Sequence, residues 1–294
     1  MPKKHRVPQP FYEKGKFEGK VVIVTGSSSG IGQATAMLFA LEGASVTLHG
    51  QNLERLKACA KAIVTEGVPS SKILSIQGSV DDDNVLQKLV DETVKKFGKL
   101  DILINNAGIS NKPGVPMTDN LTMENYEYVM NVNLRAPIRL TQLAVPHLAK
   151  THGNVINVSS IGGLRPVPAT MYYSIAKAAL DHFTRNAAVM YAKHGVRVNG
   201  LIPGGVETAF VTRHGVPQCV ANKLSNDYTD KYVPMKRYGV PNEMATIIKF
   251  LASDEASYIT GSNIVADGGT SIFVPGRDLI ESFGDAVKLI VSGP

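Results

Sequence analysis

Apolar positions recur along this chain on two periods, and the two periods take turns. Val21-Val22-Ile23-Val24 is an unbroken β-branched run, the mark of a strand covered on both faces. Directly after it Ile31, Ala34, Leu38 and Leu41 keep helical spacing, and Gly43 closes that helix. The unit then repeats. Strands are expected over Ser45–His49, Ile73–Ile76, Asp101–Ile104, Asn154–Val158, Val196–Ile202 and Asn263–Ala266. Between them, Leu53, Leu56, Ala60 and Ile63 mark one helix, and Val85, Leu89, Thr93 and Phe97 another. Longer helices are expected over Met123–Ala149, bent or divided by Pro137 and Pro146, and over Tyr173–His194; a shorter one covers Asn242–Leu251. Ala209–Val240 reads as polar and irregular. Strands alternating with helices predict a parallel sheet with right-handed crossovers, and no Pro/Gly/Ser-rich linker divides it. The expected fold is one doubly wound α/β domain with about seven parallel strands and helices on both faces.

Composition narrows the class. In 294 residues, 44% hydrophobic, no apolar run approaches the ~20 residues of a membrane helix, so a soluble protein is expected. The basic start, Met1 to Arg6, is followed by Pro8, Pro10 and Glu13 and resembles neither a signal nor a transit peptide. Two cysteines, Cys59 and Cys219, make no disulfide framework, which fits a reducing compartment such as the cytoplasm. The net charge of +6 is dispersed among acids, which argues against nucleic acid and suits an anionic cofactor. Seven histidines form no HxxxH or HExxH, so no metal site is expected, and Asp81-Asp82-Asp83 reads as the acidic first turn of a helix.

The chemistry begins at Thr25-Gly26-Ser27-Ser28-Ser29-Gly30-Ile31-Gly32. These glycines lie between a strand and a helix, where the backbone turns sharply and approaches a pyrophosphate that a Cβ would exclude. The helix N-terminus then offers free N–H groups to phosphate. The spacing is GxxxGxG rather than GxGxxG, and no Lys-Ser/Thr follows as in a P-loop. The expected dinucleotide contacts here are Gly26, Ser28, Ser29, Gly30, Ile31 and Gly32, and the fold is of Rossmann type. An acid at the end of the second strand would hold a ribose 2′-hydroxyl. Leu48-His49-Gly50-Gln51-Asn52 has none, and no arginine either, leaving neutral donors at Gln51, Asn52 and Ser29. That favours NADP(H) and leaves NAD(H) possible.

Tyr173 and Lys177 fall four residues apart, on one helix face. A neighbouring ammonium lowers a phenol's pKa, so the pair can exchange a proton with a carbonyl or alcohol oxygen. YxxxK also occurs at Tyr12…Lys16, in a Pro-flanked tail, and at Tyr232…Lys236, around Pro234. Only the middle copy has a serine thirteen residues upstream, Ser160, at the end of a strand where open α/β sheets bind ligands. Tyr172 projects away and reads as wall.

These residues together resemble the short-chain dehydrogenase/reductase family over about residues 18 to 272. Asn105-Asn106-Ala107-Gly108 is similar to the NNAG after the family's fourth strand. Asn131-Val132-Asn133-Leu134 resembles its helix motif with the catalytic asparagine at Asn133. Pro203-Gly204-Gly205-Val206-Glu207-Thr208 resembles its PGxxxT segment, and Ile259-Thr260-Gly261 with Asp267-Gly268-Gly269 its last strand. The resemblance implies Tyr173 as general acid/base and Lys177 as the group that lowers its pKa and binds the nicotinamide ribose. It implies Ser160 as the group that polarises the carbonyl, and Asn133 as holder of a relay water. It adds Val80, Asn106, Ala107, Gly108, Pro203, Gly204, Val206 and Thr208 to the cofactor contacts, with Tyr173 and Lys177 themselves. Gly78-Ser79-Val80 departs from the family's Asp-Val pair, and Gly50-Gln51 from the Gly-Arg of its NADP-preferring members.

The expected protein is thus an NADP(H)-dependent oxidoreductase acting between a nicotinamide and a ketone or secondary alcohol. A 3-oxoacyl-thioester reductase is the alternative among enzymes, and a catalytically silent dinucleotide-binding sensor or scaffold the alternative of another class. Enoyl reductases of the family space Tyr and Lys more widely. Its parts are an N-terminal tail (1–17), the dinucleotide-binding and catalytic domain (18–272) with a substrate loop at about 208–240, and a C-terminal extension (273–294). Phe210, Val211, Tyr228, Tyr232 and Met235 in that loop mark either an apolar substrate pocket or packing beneath it. The expected partner is a small-molecule carbonyl or alcohol, with no nucleic acid and no membrane, in a homo-oligomer, tetramer or dimer.

Overall fold

The computed structural model describes residues 12–115, 121–210 and 218–273. Residues 1–11 of the tail, Val211 and the extension from residue 274 onward lie outside them. Seven parallel strands form one sheet: β1 Val21–Val24, β2 Ser45–Gly50, β3 Ile73–Gln77, β4 Ile102–Asn105, β5 Asn154–Val158, β6 Arg197–Pro203 and β7 Asn263–Ala266. Their order is β3-β2-β1-β4-β5-β6-β7. The order reverses between β1 and β4, so the loops leaving those two strands part and open a crevice at their C-terminal ends.

Side-chain alternation assigns the two faces. Val22, Val24, Ile102, Ile104, Ile156 and Val158 face one layer, formed by α1 (Gly30–Leu41), α2 (Leu53–Thr65) and α8 (Pro241–Ala252). Val21, Ile23, Leu103 and Val155 face the other, formed by α3 (Asp83–Phe97), α5 (Ala136–Thr151) and α6 (Met171–Ala192). Burying each such side chain contributes roughly 1.5–3 kcal/mol. In the first layer Phe39 of α1 is fully buried, and Phe17 meets it edge-on at 4.8 Å. The acidic run behaves as its sequence suggests: Asp82 caps α3, accepting from Asn84 N at 2.9 Å, and Asp83 pairs with Arg135 at 2.6 Å.

Two expectations change. The long helix over 123–149 is divided, but at Asn131–Arg135 rather than at a proline; that stretch is a π-helical turn between α4 (Met123–Met130) and α5. Pro137 lies just beyond the π-helical turn, where its missing N–H leaves a rung of the continuing helix open, and Pro146 stays inside α5. The stretch read as irregular contains a helix, α7, at Gln218–Tyr232. Its Ser225, Asn226 and Asp227 are weak helix formers, which is why the period does not stand out. No helix of the described residues is long and apolar enough to cross a membrane.

Candidate active site

The turn between β1 and α1 lies under the crevice. Gly26 and Gly30 have φ of +66° and +58°, in the left-handed region that favours glycine. A Cβ on Gly26 would come 2.9 Å from Ala107 Cα, and one on Gly32 would strike Asn106 Nδ2 and, at 2.5 Å, Gly26 O. The turn is therefore packed to backbone contact against the loop after β4. Thr25 fastens the two: its hydroxyl accepts from Asn106 N at 2.9 Å and Ala107 N at 3.0 Å, while Asn106 Nδ2 donates to Thr25 O at 2.9 Å. No side-chain hydrogen bond caps the first turn of α1 at Ser29. Gly30 meets Thr208, whose methyl would lie 3.1 Å from a Cβ there. Narrow glycine backbone, an uncapped helix start and Thr208 opposite make a cradle that fits a dinucleotide diphosphate.

At the far end of the crevice the side chains are neutral. Gln51 Nε2 donates to Ser79 Oγ at 2.8 Å, joining the loop after β2 to the loop after β3. Asn52 is the N-cap of α2, its Oδ1 accepting from Arg55 N at 2.8 Å. The Val80 side chain is buried with the α3 layer. Ser28 lies against Gly50, where a Cβ would come 2.8 Å from the hydroxyl.

The other end holds the proton-transfer groups. Tyr173 and Lys177 both lie on α6, one turn apart, with the ammonium 5.5 Å from the phenol ring centre. The other two YxxxK copies do not share a helix: Lys16 sits in a turn, and Lys236 has a φ of +55° beyond the end of α7. Lys177 is buried and donates to Val158 O at 2.8 Å. Ser160 lies two residues beyond the end of β5, with its hydroxyl beside the Tyr173 phenol; its Oγ accepts from Gly162 N at 3.1 Å. Asn133 occupies the π-helical turn. Its Nδ2 donates to Ile109 O and Val129 O, both at 2.9 Å, and its Oδ1 accepts from Ile109 N at 3.1 Å. Gly108 lies between Asn133 and Lys177, since a Cβ there would meet Asn133 Oδ1 at 2.9 Å and Lys177 Nζ at 3.4 Å.

The electrostatics of this pair differ from the expectation. Burial pushes the Tyr173 phenol up, the Ser160 hydroxyl opposes that, and the Asp181 carboxylate adds to the rise. Burial also pushes the Lys177 ammonium down to about 8, against the pull of Asp181. The reason is desolvation: Lys177 is buried and Tyr173 half-buried, and the ammonium is turned to a backbone carbonyl. Asp181, one turn beyond Lys177, is itself raised by burial.

The segment after β6 is held by backbone contacts. Pro203 ends β6, Gly204 N donates to Ala266 O at 3.0 Å, and Val206 bridges to Gly239. Phe210 reaches back so that its ring centre lies 5.8 Å from that of Tyr173. Tyr228, by contrast, packs on Tyr232 and Tyr238, at 5.4 and 6.1 Å. The aromatic residues of the 208–240 stretch thus divide between the site and ordinary packing. Tyr172 donates to Leu121 O at 2.9 Å and packs edge-on against Tyr126, as a wall residue would. Among the described residues no group of His, Cys, Asp and Glu is placed to hold a metal.

Thr25, His49 and Asp181 join these residues without having been among the expected contacts. Thr25 opens the glycine motif, His49 is a polar residue in a buried strand, and Asp181 repeats the four-residue step after Lys177; each carried a signal.

The family model described as "Enoyl-(Acyl carrier protein) reductase" matches residues 26–271. A 3-oxoacyl-[acyl-carrier-protein] reductase of Thermotoga maritima is 36% identical over 258 residues, 87% of this chain and 100% of the relative. A short-chain dehydrogenase/reductase of unknown function from Caenorhabditis elegans, solved with cofactor, superposes with a TM-score of 0.84 at 40% identity, covering 88% of this chain and 97% of the other. A glucose dehydrogenase of the same organism, in the apo-form, gives 0.76 at 42% identity, covering 88% and 100%. The chain belongs to the short-chain dehydrogenase/reductase family. It is an oxidoreductase, of a family that works with nicotinamide dinucleotides.

Proposed function

We propose that this protein is an NADP(H)-dependent carbonyl reductase or alcohol dehydrogenase acting on a ketone or secondary alcohol, with Tyr173 as general acid/base. The observation that carries it is the convergence of Ser160, Tyr173 and Lys177 where β5 ends against α6. A dinucleotide held by the glycine turn and Thr208 would supply or accept the hydride. The residues do the rest. Ser160 hydrogen-bonds the substrate oxygen as charge develops on it. Tyr173, kept protonated by burial, gives its proton to that oxygen in reduction and takes it back in oxidation. Lys177 stabilises the phenolate that this leaves. Asn133 holds the Ile109 backbone beside Gly108, and so keeps the floor under Lys177 fixed.

The NADP(H) preference rests on neutral side chains at the 2′ position, where an acid would repel a phosphate. The similarity to a 3-oxoacyl-[acyl-carrier-protein] reductase favours thioester-linked ketones as a second substrate class. The four-residue Tyr–Lys step argues for carbonyl rather than enoyl reduction, whatever the matching family model is called. Exposed Val189 and Met190 on α6 suit a homo-oligomer, and cysteines with no partner suit the cytoplasm.

The test is oxidation of NADPH, with NADH in parallel, against ketones, aldehydes, quinones and 3-oxoacyl thioesters. Turnover with NADPH preferred supports the reading. Binding of NADPH with no turnover on any of them favours a silent sensor.

A further inference from the structure

We infer that His49 is a positioning residue for the dinucleotide: it spans the floor of the adenosine end of the crevice and sets the spacing of the two loops that form its walls. The inference rests on the dinucleotide reading above and adds a residue to it. His49 is the penultimate residue of β2 and 2% exposed, in a strand whose Val46 and Leu48 are fully buried. A buried imidazole in such a strand costs free energy unless its nitrogens are used.

One wall is the glycine turn. Gly26 N donates to His49 Nδ1 at 3.3 Å. The backbones are joined as well: Ser27 N donates to His49 O and His49 N to Ser27 Oγ, both at 2.8 Å. The residue thus grips the first two residues of the turn through its ring and its main chain. The other wall is the turn after β3. Gly78 N donates to Gly50 O at 3.3 Å, and the far side of the His49 ring faces the Gly78 carbonyl, where Nε2 makes no well-formed hydrogen bond. From there Gln51 and Ser79 carry the link to the surface.

The geometry fixes the tautomer. Nδ1 accepts the Gly26 N–H, so the single ring proton sits on Nε2; a second proton would set two N–H groups against each other. Burial favours the same neutral state and pushes the imidazole down to about 4. The consequence for binding follows from Gly26, which has no room to move toward Ala107. With its N–H unpaired, the turn stays joined to β2 only through Ser27, and the Gly26 backbone that faces the diphosphate loses its own anchor there.

Three variants separate the ring's role from its bulk. His49→Asn keeps an acceptor at the Nδ1 position, His49→Gln moves the amide to the Nε2 position, and His49→Leu supplies neither. The expected result is a dissociation constant for NADP+, measured by calorimetry, about tenfold weaker in His49→Leu and His49→Gln and nearly unchanged in His49→Asn. Turnover at saturating cofactor stays within about twofold throughout. Nitrogen-15 NMR of the wild-type imidazole should report the Nε2–H tautomer. An unchanged dissociation constant in the Gln and Leu variants, a loss confined to saturated turnover, or an Nδ1–H tautomer would overturn the inference alone. Should His49→Leu fail to fold, the Asn and Gln pair decides it. If the wild-type protein binds neither NADP+ nor NAD+, the dinucleotide reading fails and takes this inference with it.

Discussion

Ser160, Tyr173 and Lys177 stand where one strand ends against one helix, whereas Gln51, Ser79 and Val80 stand on two loops at the opposite end of the crevice. The first group is rigid by construction. Tyr173 and Lys177 are fixed by the pitch of α6, and Lys177 is pinned to β5 through Val158 O at 2.8 Å. The second group is held by contacts between loops: Gln51 Nε2 to Ser79 Oγ, Gln77 Nε2 to Gln51 O and Gly78 N to Gly50 O. Proton transfer needs its groups in one geometry, so the fold gives it a helix and a buried strand end. Cofactor choice needs only a difference in charge at the 2′ position, and an exposed loop supplies that. The two ends should therefore respond to substitution in different ways.

Lys177→Met removes the ammonium from the rigid end. Turnover should fall by about 10² to 10⁴-fold with the substrate KM little changed. In the wild-type protein the same group sets a pH limit. Its pKa is lowered to about 8, so the ammonium is present below that value and lost above it. The rate of carbonyl reduction should decline as pH rises through about 8; a flat profile from pH 7 to 9 would remove Lys177 from the chemistry. Gly32→Ala probes the cradle between the two ends. Its Cβ would strike Asn106 and the Gly26 carbonyl, so NADP+ affinity should drop by about 100-fold, alongside a lower melting temperature. Gln51→Arg acts at the loop end and should tighten NADPH by about tenfold without altering saturated turnover, because a guanidinium meets a 2′-phosphate bidentately. Equal NADPH dissociation constants for the variant and the wild type would mean that the ribose lies elsewhere. Asp83→Asn, which breaks only a surface pair with Arg135, should leave turnover and cofactor affinity within about twofold.

The same contrast explains what the sequence alone disclosed. Strands β1, β4 and β5 are buried on both faces; β1 is an unbroken apolar run, β4 keeps three apolar residues before Asn105, and β5 stays legible through Val155, Ile156 and Val158 although Asn154 and Asn157 interrupt it. The Tyr173–Lys177 step is legible because a helix turns a spacing into a direction. The π-helical turn at Asn131–Arg135 was not, since an added residue within a turn leaves the apolar pattern almost unbroken. Helix α7 was hidden by its polar residues. His49 and Thr25 act through contacts between segments far apart in the chain, which no local period reveals. The rise in the Tyr173 phenol's pKa was also out of reach, because burial and not the neighbouring ammonium decides it.

The most direct test of the central claim is Tyr173→Phe, read by two assays on the same preparation: NADPH binding by fluorescence, and turnover on whichever carbonyl the wild-type protein reduces. With Tyr173 as the proton donor, the variant binds NADPH within about twofold of the wild type and loses turnover by about 10² to 10⁴-fold. Near wild-type turnover in a variant that lacks only this hydroxyl would contradict the account.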